Sequence, residues 1–148
     1  MARYTVSVNT PKSVEEAFAF VGDLSHFEDW DPGVVRSSQT DGDGPGLGAR
    51  YEVEVSSVGG TMTLVYEITD FDEPSRVVAE ASSSTLTSVD TITVVPDGAG
   101  AVVTYDAQLT LNGIWKVGEP FLGLAFKRIG DRAATGLIEA LEGTRVAG

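Results

Sequence analysis

From Val34 to Leu111 the apolar residues of this 148-residue chain mostly alternate one by one, and from Leu122 onward they recur every three or four. Alternation marks a half-buried strand, and the three-four step marks one face of a helix. A run of strand patterns joined by short turns forms an antiparallel sheet. Such a sheet must cover its apolar face, and one long C-terminal helix is the only element large enough to do so. The order of periods therefore predicts an α+β fold, a curved sheet wrapped around a single helix.

The strands can be placed one by one. Arg3–Asn9 comes first, with Tyr4, Val6 and Val8 on one face, and Thr10-Pro11 breaks it. Val34–Thr40 is a weaker strand whose inner face is ambiguous, and Asp41–Gly48 is a loop. Ala49–Ser56 sets Tyr51, Val53 and Val55 against Arg50, Glu52 and Glu54. Gly59-Gly60 reads as a hairpin turn. Thr61–Phe71 then carries Met62, Leu64, Tyr66 and Ile68 on one side. Arg76–Ser82 and Leu86–Val95 follow, and Pro96-Asp97-Gly98 is a turn signal. Ala101–Leu111 closes a seven-stranded sheet, with Val103, Tyr105, Ala107 and Leu109 on one face. The helical stripe is Leu122, Phe126, Ile129, Ala133, Leu137 and Ala140 or Leu141, with Glu119 and Pro120 suited to a first turn. A helix of roughly 22 residues is ~33 Å long, enough to cross a small domain. Length and the lack of any linker predict one domain over residues 1–148.

Two short helices are expected between the first two strands, in the segment SVEEAFAFVGDLSHFEDWDP. Ser13 with Glu16 forms a capping box, and Val14, Ala17, Phe18 and Val21 make an apolar face. Leu24, Phe27 and Trp30 form a second pattern that ends at Pro32. This stretch, with Gly46-Leu47-Gly48-Ala49-Arg50-Tyr51 further on, resembles the START-like, helix-grip (SRPBCC) superfamily and its polyketide cyclase/dehydrase-like group. The resemblance covers essentially the whole chain. It implies a small hydrophobic ligand (a lipid, a polyketide or another aromatic or isoprenoid-type molecule) held between sheet and helix. It also implies either a carrier or a cyclase/dehydrase-like enzyme. Co-chaperone relatives of the same fold leave a third option, a protein-interaction module with a collapsed cavity and an exposed apolar patch.

Composition excludes several classes. The net charge is −12, and the ten basic residues are scattered. Nucleic-acid binding needs clustered Lys and Arg, so neither nucleic acid nor an anionic membrane surface is an expected partner. No apolar run approaches the ~20 residues of a bilayer span, and no signal-like segment opens the chain. There is no cysteine, which removes thiol chemistry and fits a reducing, cytoplasmic setting. His26 is the only histidine, so no His/Cys metal cluster can form and no cofactor is expected. The glycines of Asp41–Gly48 precede a strand rather than a helix N-terminus, so they do not make a phosphate loop. The partner left is a small apolar ligand, taken up by a monomer or homodimer.

Asp90 carries the sharpest chemical expectation. If Ile92 and Val94 face inward, period two turns Asp90, Ser88 and Leu86 inward as well. A carboxyl against an apolar cavity has its pKa raised, which suits a general acid or base. It suits equally an anchor for a ligand hydroxyl or amine. Tyr66 and Tyr105 are its candidate catalytic partners, in acid–base chemistry without a metal or a covalent intermediate. The ligand-lining candidates are Trp30, Tyr51, Val53, Met62, Leu64 and Ser88 on the first part of the chain. Trp115, Leu122, Phe126, Ile129, Gly130 and Ala133 are those on the last part. Gly123, Gly130 and Gly136 within one helix imply space beside its backbone, for a ligand or for close packing against the sheet.

Overall fold

The computed structural model describes the backbone of residues 2–57 and 60–146. Gly59, half of the expected hairpin turn, lies outside these residues, and so do the surroundings of Gly123. The chain runs β1 (Ala2–Thr10), α1 (Val14–Val21), a 3-10 turn (Leu24–His26), α2 (Phe27–Trp30) and β2 (Val34–Asp41). Then come β3 (Arg50–Ser57), β4 (Gly60–Asp72), β5 (Arg76–Ser82), β6 (Leu86–Asp97) and β7 (Gly100–Leu111). A second 3-10 segment (Gly113–Gly118) leads into α3 (Glu119–Ala140), and β8 (Thr144–Arg145) ends the order.

All strand pairs are antiparallel, in the order β2-β3-β4-β5-β6-β7-β1-β8. The seven expected strands are present. The two-residue β8 is additional, and it covers the open edge of β1 by pairing Val8 with Arg145. Register shifts in β2 and at Ile68/Asp70 of β4 bend their strands, as bulges do. The β2 shift explains the ambiguous pattern there, since Val34 and Ser37, three apart, are both buried.

Local chemistry sets the ends of the elements. Ser13 Oγ accepts from the Glu16 amide at 3.1 Å and donates to Glu16 Oε1 at 3.1 Å, which caps α1. Asp23 caps the 3-10 turn by accepting from the Ser25 amide and hydroxyl. The Ser37 hydroxyl donates to Leu24 O at 2.6 Å and the Ser37 amide to Glu28 Oε1 at 3.1 Å. These two bonds fasten the short helices to β2.

The long helix lies against β1 and α2. Ala133, Ala134, Leu137 and Leu141 are buried in that contact. Tyr4 Oη donates to Asp131 Oδ1 at 2.6 Å, and Thr10 Oγ1 donates to Leu141 O at 2.6 Å. A Cβ on Gly130 would overlap the Tyr4 ring, and one on Gly136 would overlap the Trp30 carbonyl. Of the two readings of these glycines, close packing is therefore the one that holds at Gly130 and Gly136. Further towards its N-terminus the helix is less buried, with Phe126 partly covered and Ile129 49% exposed. No helix among the described residues is long and apolar enough to cross a membrane.

Candidate functional site

A cavity of about 300 Å³ lies between the inner face of the sheet, the Asp31–Val34 turn and α3. Its sheet wall includes Met62, Leu64 and Tyr66 of β4 and Leu86, Ser88 and Asp90 of β6. Strand β7 adds Tyr105, Ala107 and Leu109. Phe27 and Asp31 close one side, and Phe126, Ile129 and Arg132 of α3 close another.

Asp90 is the chemical centre of this space. It is 6% exposed and sits mid-strand, with Ala79 opposite it on β5 and Ala107 opposite it on β7. Two alanines flanking a carboxyl leave it uncovered towards the cavity. Neither of its oxygens has a hydrogen-bond partner among the described residues, and they open onto the cavity rather than being sealed in the core, where Tyr51 Oη is the one unpaired side-chain atom among those residues. Burial, and then the charges of Asp31 and Asp106, push its pKa up to about 8. It fronts a second, much smaller gap of about 10 Å³ shared with Asp23, Phe27 and Trp30, about one water in size.

Asp31 is the second carboxyl of the cavity. It is 7% exposed and accepts a hydrogen bond from the Gly33 amide at 2.9 Å. Burial raises it to about 6 against the opposing pull of that bond. The two acids therefore titrate apart, and near pH 7 Asp90 is mostly protonated while Asp31 is mostly ionised. Tyr66 Oη and Ser88 Oγ lie 2.8 Å apart in a buried hydrogen bond. Burial and the Asp90 charge hold the Tyr66 and Tyr105 phenols protonated, well above the usual tyrosine value. Tyr105 meets Trp30 edge-to-face at 5.1 Å, and Tyr66 meets Phe27 likewise at 6.3 Å.

Of the residues singled out from sequence, Asp90, Tyr66, Tyr105, Met62, Leu64, Ser88, Phe126 and Ile129 come together around the cavity. The others lie elsewhere. Trp30 is 4% exposed behind Phe27 and Tyr105, beside the smaller gap. Tyr51 and Val53 are sealed in the core beyond the cavity. Gly130 faces Tyr4, and Ala133 is buried in the helix–sheet contact. Trp115 is 53% exposed on the 3-10 segment, and Leu122 is partly buried, neither lining the cavity. Asp31 and Arg132 were not foreseen. The signal for Asp31 was its place before Pro32, which forces extended backbone and ends the helix with the side chain turned off its axis.

A curved antiparallel sheet closing on one long helix over a cavity defines the START-like helix-grip class. Within it, the polyketide cyclase/dehydrase and lipid transport family model matches residues 1–142, so the chain belongs to that family. A protein of Thermus thermophilus shares the fold at a TM-score of 0.76 and 17% identity, over 95% of this chain and 94% of that one. A START superfamily protein of Mycobacterium smegmatis aligns at 0.76 and 14% identity, over 96% and 98%. Major latex-like protein 151 of Panax ginseng aligns at 0.69 and 14%, over 95% and 97%. At such identities the likeness concerns the fold alone. No functionally curated protein matches the chain.

Proposed function

We propose that this protein binds one small, largely apolar molecule in the cavity between the sheet and the C-terminal helix. The observation that carries this reading is an apolar cavity of about 300 Å³ with an unpartnered, buried carboxyl in its wall. At about 20–30 Å³ per heavy atom the volume suits roughly ten to fifteen non-hydrogen atoms. A single-ring or short-chain aromatic, isoprenoid or polyketide-like molecule fits. The ligand-lining set is Phe27, Met62, Leu64, Leu109, Phe126 and Ile129, with Ser88 and Asp90 as its polar end. The protein acts as a monomer or homodimer, in a reducing cytoplasm, and without nucleic acid.

The same groups support a catalytic extension. Near neutral pH Asp90 holds a proton and Asp31 lacks one, which is how paired carboxyls divide into acid and base. With Tyr66 and Tyr105 donating beside them, such a pair suits cyclase- or dehydratase-like proton transfer on a bound carbonyl compound. A protein-interaction module is the competing reading. It draws on Ile114, Trp115 and Val117, exposed at 82%, 53% and 84%. It leaves the cavity and Asp90 without a role.

The test is displacement of an apolar fluorescent dye by phenylbutanol, repeated with Leu64→Phe and Ala107→Leu. Both substitutions grow into the cavity, so both variants are expected to keep the fold and lose at least about tenfold in affinity. Unchanged uptake by both variants would overturn the site.

A further inference from the structure

The cavity wall holds more acids than bases. Asp31 and Asp90 are both buried, and the one cation among the described lining residues, Arg132, is on the exposed side of α3. Among the described residues, no ion pair joins Arg132 to either acid. A carboxyl this deep in an apolar wall, with no donor from the protein, takes its donor from whatever enters the cavity, water or a ligand. The groups around Asp90 do not supply one. From β5 it meets Ala79 and from β7 Ala107, Tyr105 and, behind the sheet, Asp106. From β4 comes Tyr66, whose hydroxyl is engaged with Ser88. Asp31 faces it from the turn after α2, and Asp23 faces the smaller gap. Aromatic rings of Phe27, Tyr66 and Tyr105 border the same space. Carboxylates and aromatic rings together, in an otherwise apolar cavity, are the surroundings that an ammonium group finds favourable.

We propose that the cavity selects small apolar molecules bearing a protonated amine, with Asp90 as the direct partner of the ammonium group and Asp31 and the aromatic rings around it. This inference rests on the ligand-binding reading above and narrows its ligand class. It carries a proton balance. The ligand-free carboxyl is largely protonated near pH 7, so taking up R–NH3+ as a pair with Asp90–COO− sends that carboxyl proton to solvent. Amine affinity should therefore rise about tenfold per pH unit towards pH 8, and level off where Asp90 is already ionised. A catalytic acid, by contrast, would keep its proton on binding.

The experiment is titration calorimetry of the whole protein with three matched probes, phenylbutylamine, phenylbutanol and phenylbutyrate. Each is run near pH 7 in phosphate and in Tris, whose ionisation enthalpies differ. The amine is expected to bind at least about tenfold more tightly than the alcohol, and the carboxylate most weakly. Amine binding alone should release a proton, close to one per site. Asp90→Asn should abolish both the preference for amine over alcohol and the proton release. Should that variant fold poorly, the wild-type probe ranking and proton release decide the matter. Equal binding of amine and alcohol, or an amine preference that survives Asp90→Asn, overturns the inference and leaves the cavity reading intact. Failure of all three probes to bind removes both.

Discussion

Replacing Asp90 by Asn tests the site through stability alone, without any ligand. Burial holds the native carboxyl near 8, against 3.8 for the ordinary group. Between those values the folded protein binds a proton that the unfolded chain has lost, so stability falls as pH rises. The window opens near pH 4 and closes just above pH 8. About four units at roughly 1.4 kcal/mol each give a loss of up to about 6 kcal/mol, a large share of a typical domain's 5–15. Asparagine is a neutral isostere of the protonated acid, so the two proteins should be nearly equal near pH 4. Above pH 8 the variant should be several kcal/mol more stable, on the order of 10 °C in Tm for a chain of this length. Asp31 titrates in both proteins and largely cancels in the comparison. The assay is urea denaturation of both proteins from about pH 4 to pH 9. Stability curves that stay parallel across the range would refute the buried, unpartnered placement of Asp90.

Three further substitutions probe the frame around the cavity. Gly130→Leu should destabilise by roughly 2–4 kcal/mol in denaturant titration, since its side chain would enter the space of the Tyr4 ring rather than the cavity. Tyr51→Phe should be neutral or stabilising by up to about 1 kcal/mol. Among the described residues the Tyr51 hydroxyl is buried without a hydrogen-bond partner, and burial with nearby Asp23 holds it at about 12. Thr10→Val should cost about 1–2 kcal/mol, because it removes the donor that the buried carbonyl at the end of α3 accepts from. A loss near zero, read from the thermal midpoint, would show that water replaces this bond.

Elements with a long, clean period could be read directly from the sequence. In strand β6 the parity of Ile92 and Val94, carried back along the strand, turns Asp90 inward, where the structure has it, while Val89 falls on the opposite face and left the register open. The stripe from Ala133 to Leu141 likewise marks the buried face of α3. Features set by tertiary contact could not be read in this way. Gly130 and Gly136 look alike whether a helix makes room for a ligand or for a ring and a carbonyl, and only the positions of Tyr4 and Trp30 decide between them. Two residues carry no period, so β8 left no trace. Tyr51 and Val53 share the inner face with Leu64 and Tyr66, and alternation cannot tell which part of that face the helix leaves open. Asp31 stood inside a helix-stop signal, and its place in the cavity wall depends on tertiary contacts such as the Ser37 bonds that fasten the short helices to β2.

The central claim is that the cavity holds a ligand, and native mass spectrometry of the purified protein, followed by denaturing extraction, tests it most directly. The expected result is one molecule per chain, largely apolar and of roughly ten to fifteen non-hydrogen atoms. A protein that carries nothing, and that also takes up neither phenylbutanol nor an apolar dye, would contradict it.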